Sequence, residues 1–379
     1  MTTTTRSTEC TASATTLFLA MELGSTQWKL AFAVVRTGRP RIRTIAAKDL
    51  AALAREIVAA KAKVGVPADT PVRSCYEAGR DMFWVHRALE AQGIRNVVVD
   101  PSSIAVDRRQ RRAKTDRVDA TALVMQLMNA AAGDRRGWRE VHVPSVEAEH
   151  DRQLQREWET VREDRKRLRN RISGLLATQG VGLPLTRDFR RRLALTRLWD
   201  GTPIPAPLVG RLDREWAALQ AVEARRCELE RLRRARIRHA DDRVATQTRR
   251  LITLRGVAIN GALTLSTELF AWRAFRNGRQ LGAIIGLTPT PYRSDQSVSE
   301  QGISRSGNRR VRALSIELAW AWLRHQPDSA LSHWFHRRFG QHGRARRIGI
   351  VAVARKLVIA LWRYADQEVL PAGAKLKTA

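Results

Sequence analysis

Residues 17–35, LFLAMELGSTQWKLAFAVV, contain two apolar runs on either side of a short polar segment. The runs Leu17 to Met21 and Trp28 to Val35 have the length and composition of buried strands. Between them, Gly24 to Thr26 supplies small and polar residues of the kind that form tight turns. The stretch therefore predicts two neighbouring antiparallel strands at the start of a sheet.

The sequence after this hairpin alternates between short apolar runs and segments with helical periodicity. Further strands are predicted over 41–45, 72–76 and 94–99, and helices over 50–64, 81–92 and 118–130. Three strands followed by alternating helices and strands is the order of a ribonuclease-H-like domain, in which a meander leads into parallel strands with crossover helices. We therefore expect an α/β domain of RNase H-like fold.

The middle of the chain is highly charged, with apolar residues at helical spacing over 154–175 and 208–232. A segment that contains glycine and proline, 180–207, separates the two patterns. Two long helices joined by a loop are typical of an antiparallel helical hairpin or of a dimerising coiled coil. Both structures agree with the sequence.

From Leu251 onward the sequence is less charged and predicts a mainly α-helical domain. Residues 254–262 have the glycine spacing of a helix-hairpin-helix turn, which points backbone N–H groups at a phosphate. A tight turn between packed helices explains the same spacing. A polar loop is predicted after Pro291, and two helices follow, the first with Trp320 and Trp322.

These patterns divide the chain into five segments. They are a disordered N-terminus over 1–15, the α/β domain over 16–131, a helical or coiled-coil region over 132–250, a C-terminal domain over 251–366 and a flexible tail over 367–379.

The composition points to a polyanionic partner. Lysine and arginine number 68 and aspartate and glutamate 37, a net charge of +31, which favours binding to nucleic acid. An arginine-rich proteome is the alternative explanation of the charge. No apolar run approaches the roughly 20 residues that span a bilayer, so we expect no membrane association. The three cysteines lie far apart, which argues against a zinc finger and fits a reducing cytoplasm.

Four carboxylates occupy positions where an acid is unexpected or where several acids can meet. Glu22 and Glu77 end apolar strands, and Asp116 and Asp119 begin a helix three residues apart. Singly, each has a structural explanation, such as helix capping for Asp116. Together, at one end of an RNase H-like sheet, they form a candidate site for two Mg²⁺ ions, which take oxygen ligands and stabilise the oxygens of a phosphodiester during its cleavage.

A basic run flanks these acids and is a candidate for phosphate contacts. It consists of Arg108, Arg109, Arg111, Arg112 and Lys114, with Arg117 after Asp116.

Four segments together resemble a known protein family. They are Tyr76 to Gly79, Lys114 to Ala120, Gly286 to Pro289 and Gln301 to Arg310. They are similar to segments of bacterial insertion-sequence transposases that have a RuvC-like DEDD domain and a C-terminal serine transposase domain and are guided by a structured bridge RNA. The resemblance extends in the same order over about residues 16 to 365.

This resemblance implies a reaction and a nucleophile. Mg²⁺ held by Glu22, Glu77, Asp116 and Asp119 would act with a serine that forms a covalent phosphoserine with DNA. The family's first acid is usually aspartate, and here it is Glu22. The serine maps to Ser294, within Arg293-Ser294-Asp295 where relatives have an Asp-Ser-Gly-like step. Ser297 is the second choice and Ser299 the third.

The resemblance also implies a basic segment that contacts phosphates of DNA or RNA, since arginine binds phosphate through a planar fork. The segment comprises Arg305, Asn308, Arg309, Arg310 and Arg312. Since Arg309, Arg310 and Arg312 cannot share one face of a helix, we expect at least one of them to serve packing or solubility.

Three hypotheses about function follow. The first is an RNA-guided, Mg²⁺-dependent DNA recombinase that works as a homodimer or homotetramer through its middle helices. The second is a RuvC-like endonuclease for branched DNA, whose C-terminal domain only binds. The third is a nucleic-acid-binding protein without catalytic activity.

Overall fold

The computed structural model describes residues 15–34, 38–79, 83–103, 116–294, 297–305, 307–340 and 343–377. At 102, 116–118, 291–294, 297–301 and 344 it describes the backbone alone. The chain divides into two compact units, Met1–Val143 and Pro144–Ala379.

The first unit is a five-stranded sheet with helices on its faces. Its elements are β1 (Leu17–Leu23), β2 (Gln27–Ala33), β3 (Arg41–Ala46), α1 (Leu50–Val64), β4 (Val72–Glu77), α2 (Trp84–Ala91), β5 (Arg95–Val99) and α3 (Asp116–Ala131). The strand order is β3-β2-β1-β4-β5, with β1 to β3 antiparallel and β1, β4 and β5 parallel. The predicted order of strands and helices is confirmed.

Each face of this sheet has its own core. On one face Leu19 and Met21 pack with Leu53 of α1 and Leu89 of α2. On the opposite face β1, β2 and β4 present mostly small side chains, such as Ala20, against α3. Successive side chains of a strand point to opposite faces, so the alternation of large and small residues along β1 determines which helices cover which face.

The second unit begins with a long helical hairpin. Its helices are α4 (Val146–Ala177), a short α5 (Phe189–Leu195) and α6 (Ala206–His239). Ion pairs join Asp151 to Arg236 at 2.9 Å and Arg171 to Glu215 at 2.8 Å, so the start of α4 lies beside the end of α6. Of the two structures that agreed with the sequence, the antiparallel hairpin within one chain is the one observed.

The hairpin leads into a helical bundle with one small β-hairpin. The elements are α7 (Arg243–Ile252), α8 (Ile259–Leu265), α9 (Gly278–Ile284), β6 (Pro289–Ser294), β7 (Ser297–Ile303), α10 (Arg309–His325), α11 (Ala330–Phe339) and α12 (Gly343–Gln367). The fully buried Phe270, Trp322 and Leu357 lie in its core. No helix within the described ranges is both long and apolar enough to cross a membrane.

The structure corrects two predictions for this unit. The segment after Pro291 is not a polar loop, because β6 and β7 pair there as an antiparallel hairpin. Its polar sequence gives little apolar periodicity, and the pairing uses backbone groups that carry no sequence signal. Within the described residues, β6 has a partner strand on just one of its sides. Such an edge strand tolerates Pro289 and Pro291, because proline is accommodated where no second strand needs its N–H.

The predicted flexible tail, 367–379, is also wrong over most of its length. Leu376 forms a β-bridge with Leu254, and Lys377 N donates to Thr253 O at 2.7 Å. Gln326, which is buried, donates to Lys375 O at 2.8 Å and accepts from Lys375 N at 2.8 Å. A buried amide needs such partners, and the last residues of the chain supply them. The predicted disordered segment 1–15 lies outside the described residues except for Thr15.

Candidate functional site

The strand pairing brings Glu22 and Glu77 to the same edge of the sheet. β1 and β4 are parallel neighbours whose pairing ends with Met21 opposite Tyr76. Glu22 and Glu77 are the next residues of the two strands, and both are half-buried. The sequence places an acid directly after each apolar run, and the parallel register puts those two ends side by side.

Both carboxylates belong to the face of the sheet that α3 covers. Ala20 and Cys75, each two residues earlier, pack in the core against α3, and side chains two apart in a strand share a face. Burial, and after it the negative charge of Glu77, raises the pKa of the Cys75 thiol well above its usual value. That influence agrees with a Glu77 carboxylate on the α3 side.

The two aspartates of α3 lie one turn before the residues that contact this face. Asp116 is the first residue of α3, and Asp119 is half-buried. Ala120 and Leu123, four residues after Asp116 and Asp119, are buried against the sheet, and residues four apart lie on the same side of a helix. Among the described side chains, which do not include that of Asp116, no three His, Cys, Asp or Glu residues lie close enough to hold a metal ion.

A fifth acid at this edge was not predicted. Asp100 directly follows β5, the parallel neighbour of β4, and its carboxylate lies 3.7 Å from Arg139. The signal was present in the sequence, because Asp100 follows the apolar run 94–99 as Glu77 follows 72–76.

Most of the basic residues predicted to contact phosphates near Asp116 lie outside the described residues. These are Arg108, Arg109, Arg111, Arg112 and Lys114. Arg117 is described for its backbone, which belongs to α3.

The candidate nucleophile lies at the tip of the β-hairpin. Ser294 is the last residue of β6 and pairs with Ser297, the first residue of β7. Ser299, the third choice, pairs with Tyr292 further from the tip. The first two candidates are therefore neighbours across the strands.

A glycine shapes the chain between this hairpin and α10. Gly307 has a φ of 84°, and a Cβ added to it would lie 2.0 Å from the carbonyl oxygen of Ile284. The same carbonyl accepts the backbone N–H of Asn308 at 3.1 Å. Glycine is needed here both for the left-handed backbone and for the close approach.

The side-chain amide of Asn308 forms hydrogen bonds within the protein through both its oxygen and its nitrogen. Its oxygen caps α10, accepting from Arg310 N at 3.0 Å and Val311 N at 3.1 Å. Its nitrogen donates to Glu268 Oε2 at 3.2 Å. The structure thus gives Asn308 a capping role and places its side chain on an internal carboxylate.

Glu268 is the centre of a buried polar cluster that was not predicted. Arg156 of α4 donates to it through Nε at 2.6 Å and Nη2 at 2.9 Å. Burial alone would raise the pKa of the Glu268 carboxyl, but the hydrogen bonds and charge of Arg156 outweigh burial and lower it. The carboxylate therefore stays ionised, which a buried acid does only with such partners.

Arg310 extends this cluster to α4. Its guanidinium pairs with Glu159 and lies 4.0 Å from Glu268. Arg312 donates to the carbonyl of Ile285 at 3.3 Å. Two of the three arginines at the start of α10 thus have internal partners, in agreement with the expectation that they do not all face a ligand.

Arg305, Arg309 and Arg310 are all exposed in the described part of this segment, and of these Arg310 pairs with Glu159. Arg305 has a φ of 55°, and its backbone N–H donates to Gly286 O at 3.2 Å. Arg305 and Arg309 are therefore the better candidates for phosphate contacts, since the guanidinium of Arg310 already pairs with an acid.

The turn over 254–262 packs against α10. A Cβ on Gly256, whose φ is 82°, would lie 3.2 Å from the carbonyl oxygen of Ala321, and one on Gly261 would lie 2.9 Å from Leu318. Both glycines therefore permit close helix packing. Of the two explanations of this segment, a tight turn between packed helices is the one that these contacts support.

The family and the relatives that match this chain are described as transposases. Residues 248–333 match the family described as Transposase IS116/IS110/IS902 family. A putative transposase of Sinorhizobium fredii, y4rJ, is 38% identical over 96% of this chain and 95% of its own length. A probable family 20 transposase of Pseudomonas aeruginosa is 30% identical over 67% of this chain and 73% of its own length.

A more distant relative is the transposase for insertion sequence element IS1111A of Coxiella burnetii, 26% identical over 73% of each chain. The first of these relatives aligns with both units of the structure, from the sheet to the helical bundle.

Proposed function

The chain belongs to the IS116/IS110/IS902 family of insertion-sequence transposases, and we propose that it combines a RuvC-like acidic site in the first unit with a serine nucleophile in the second. As a transposase it binds DNA and acts by cleavage and strand transfer. The proposal concerns how it does so, and it includes guidance by a structured RNA and assembly into a homodimer or homotetramer.

The observation that supports the acidic site most strongly is the pairing of β1 with β4. It brings Glu22 and Glu77 to adjacent strand ends on the face that α3 covers, and α3 begins with Asp116 and Asp119. The strand order β3-β2-β1-β4-β5 supports the RNase H-like fold that the proposal assumes. These four carboxylates would hold Mg²⁺, for which their oxygens are the preferred ligands. When bound, the metal ions stabilise the attacking and leaving oxygens of a phosphodiester.

The proposed covalent step uses Ser294. Its Oγ forms a bond to the phosphorus of a DNA phosphodiester, and the bond from that phosphorus to one deoxyribose oxygen breaks. The serine proton passes to the departing oxygen, which leaves as a hydroxyl. Support for this assignment comes from the resemblance of the segment and from the position of Ser294 as the last residue of β6, opposite Ser297 of β7.

A trapping experiment tests the mechanism. The full chain is incubated with labelled element-end DNA, the RNA encoded beside the gene, and Mg²⁺, and protein–DNA adducts are resolved by denaturing electrophoresis. We expect an adduct that Ser294→Ala abolishes and Ser297→Ala retains. Loss of the adduct with Ser297→Ala but not with Ser294→Ala would assign the nucleophile to Ser297 of β7.

The same experiment separates the competing functions. Cleaved DNA without an adduct would favour a RuvC-like endonuclease for branched DNA. Neither cleavage nor an adduct would favour a non-catalytic nucleic-acid-binding protein. Omission of the RNA tests guidance, since a guided enzyme loses sequence-specific adducts without it.

The metal site and the assembly need their own measurements. Glu77→Gln and Asp119→Asn should abolish cleavage while leaving DNA binding, and transposition by either variant would refute the acidic site. Light scattering of the purified chain tests the dimer or tetramer, for which the long hairpin of α4 and α6 is the proposed contact. An active monomer would refute that contact.

A further inference from the structure

The helical bundle contains a cleft that the proposed chemistry does not use. It has a volume of about 660 Å³ and lies between α10, α11 and α12, within the range of small-molecule sites. Trp320 and Arg324 of α10, His336 of α11 and Arg346 of α12 line it, with Glu317 as the acid among them. We refer to it as the Trp320 cleft.

Trp320 gives the cleft an accessible aromatic surface. Its side chain is 43% exposed, whereas Trp322, two residues later, is buried in the core. The guanidinium of Arg346 lies 5.7 Å from the centre of the Trp320 ring, a cation–π contact that orients the indole. The exposure of Trp320 leaves part of this aromatic residue open within a polar cleft.

The charges around this ring favour an anionic ligand. Arg324 and Arg346 are permanent cations, and Glu317 is a single opposing acid. A nucleotide combines a flat base, which stacks on an aromatic ring, with a phosphate, which arginine binds. The bases of a duplex are stacked on one another and present only their edges, so an indole in a cleft fits an unpaired base.

We propose that the Trp320 cleft binds an unpaired nucleotide of single-stranded nucleic acid, with the base on Trp320 and the phosphate on Arg324 and Arg346. RNA and DNA share this chemistry, and the experiment distinguishes them. The inference rests on the proposed function in that a transposase handles nucleic acid, but it assigns a binding site distinct from the acids and from Ser294.

The test measures binding by the full chain to fluorescein-labelled 15-nucleotide RNA, single-stranded DNA and duplex DNA of the same sequence, by anisotropy at one salt concentration. Trp320→Ala should weaken single-strand binding on the order of tenfold, the effect of losing one base–aromatic stack. Trp320→Phe should retain most of the affinity, because phenylalanine also stacks. Duplex binding should not change. Loss with RNA alone or with DNA alone identifies the source of the nucleotide.

Trp199 provides a matched control, since it is 93% exposed and lies in the loop between α5 and α6. Trp199→Ala should leave single-strand affinity unchanged. Equal affinities of Trp320→Ala and the unmodified chain would overturn the inference, as would an equal loss on duplex DNA.

Photocross-linking gives a second measurement that does not depend on a variant. An oligonucleotide with 4-thiouridine or 4-thiothymidine should cross-link to the tryptic peptide 313–324, which contains Trp320, and cross-links only elsewhere would refute the site. A chain that binds no nucleic acid would refute this inference and the proposed function together. A Trp320-dependent affinity without a serine adduct would refute the covalent mechanism alone.

Discussion

Arg156 and Glu268 form a bidentate ion pair that joins the long hairpin to the helical bundle. Nε and Nη2 of Arg156 in α4 donate to the two carboxylate oxygens of Glu268 at 2.6 and 2.9 Å, and the Glu268 side chain is 1% exposed. The same carboxylate accepts from Asn308, which caps α10. The pair therefore stabilises both the contact of α4 with the bundle and the start of α10.

Removal of this carboxylate should destabilise the protein strongly. Glu268→Ala removes the hydrogen bonds of Arg156 and Asn308 to the buried carboxylate, but Arg156 is 38% exposed and water can solvate it, so we expect a loss of about 1.5–3 kcal/mol of unfolding free energy, the range for hydrogen bonds to a charged group. Urea unfolding measures the cost. Glu157→Ala is the control, because Glu157 pairs with Arg225 on the surface and an exposed pair contributes about 1 kcal/mol or less. Equal costs for the two variants would contradict the role given to Glu268.

The same pair predicts a dependence of stability on pH. The folded-state pKa of Glu268 lies below its usual 4.5, so its contribution is complete above about pH 4.5 and is lost as pH falls through the lower folded value. Glu268→Gln lacks this contribution. The difference in unfolding free energy between the unmodified chain and Glu268→Gln should therefore be constant from pH 7 to about 5 and shrink at lower pH. A difference that stays constant to pH 3 would mean that the pKa is not lowered.

The sequence predicted the sheet but not this cluster, for a physical reason. Strands such as Leu17–Leu23 are encoded by local apolar runs, and the acids that follow β1 and β4 are visible because each directly follows such a run. Glu268 appears in the sequence only as one acid within an apolar segment. Its partner Arg156 is 112 residues away, and only the packing of α4 on the bundle brings the two together.

The predicted basic segment is a second case in which contacts between distant parts of the chain could not be predicted from the sequence. Its residue types are consistent with phosphate contacts at every position, yet the side chains of Asn308 and Arg310 bind acids of the protein itself. The sequence identified the segment as unusual. Which of these side chains have partners within the protein depends on Glu159 and Glu268, which lie far away in the chain.

Two glycines with similar backbones allow a test of the loop before α10. Gly302 and Gly307 have φ values of 88° and 84°, so alanine costs about 1 kcal/mol at either position from backbone strain. At Gly302 nothing lies within 4 Å of an added Cβ, whereas at Gly307 the Ile284 carbonyl oxygen would lie at 2.0 Å.

Gly307→Ala should therefore cost clearly more than Gly302→Ala, by several kcal/mol, because the backbone must move to relieve the clash. Calorimetric melting temperatures of the two variants provide the comparison. The displaced Asn308 cap should also reduce formation of the serine adduct with Gly307→Ala. Similar melting temperatures would show that the close approach to Ile284 does not exist in solution.

The C-terminal residues should behave as part of the fold. A chain that ends at Gln367 loses Lys375, the partner of the buried Gln326 amide, and the β-bridge of Leu376 with Leu254. Since each buried polar group left unpaired costs about 1–3 kcal/mol, we expect a clear fall in the melting temperature. Removal of 378–379 alone is the control and should have no effect.

A double-mutant comparison separates the lost Gln326 contacts from a general effect of truncation. In the full chain, Gln326→Leu removes hydrogen bonds to Lys375 and to the carbonyl of Arg255, so it should be destabilising. In the chain that ends at Gln367, the Lys375 partner is already absent, and the same substitution should cost less. Equal costs in the two backgrounds would mean that Gln326 and Lys375 do not interact.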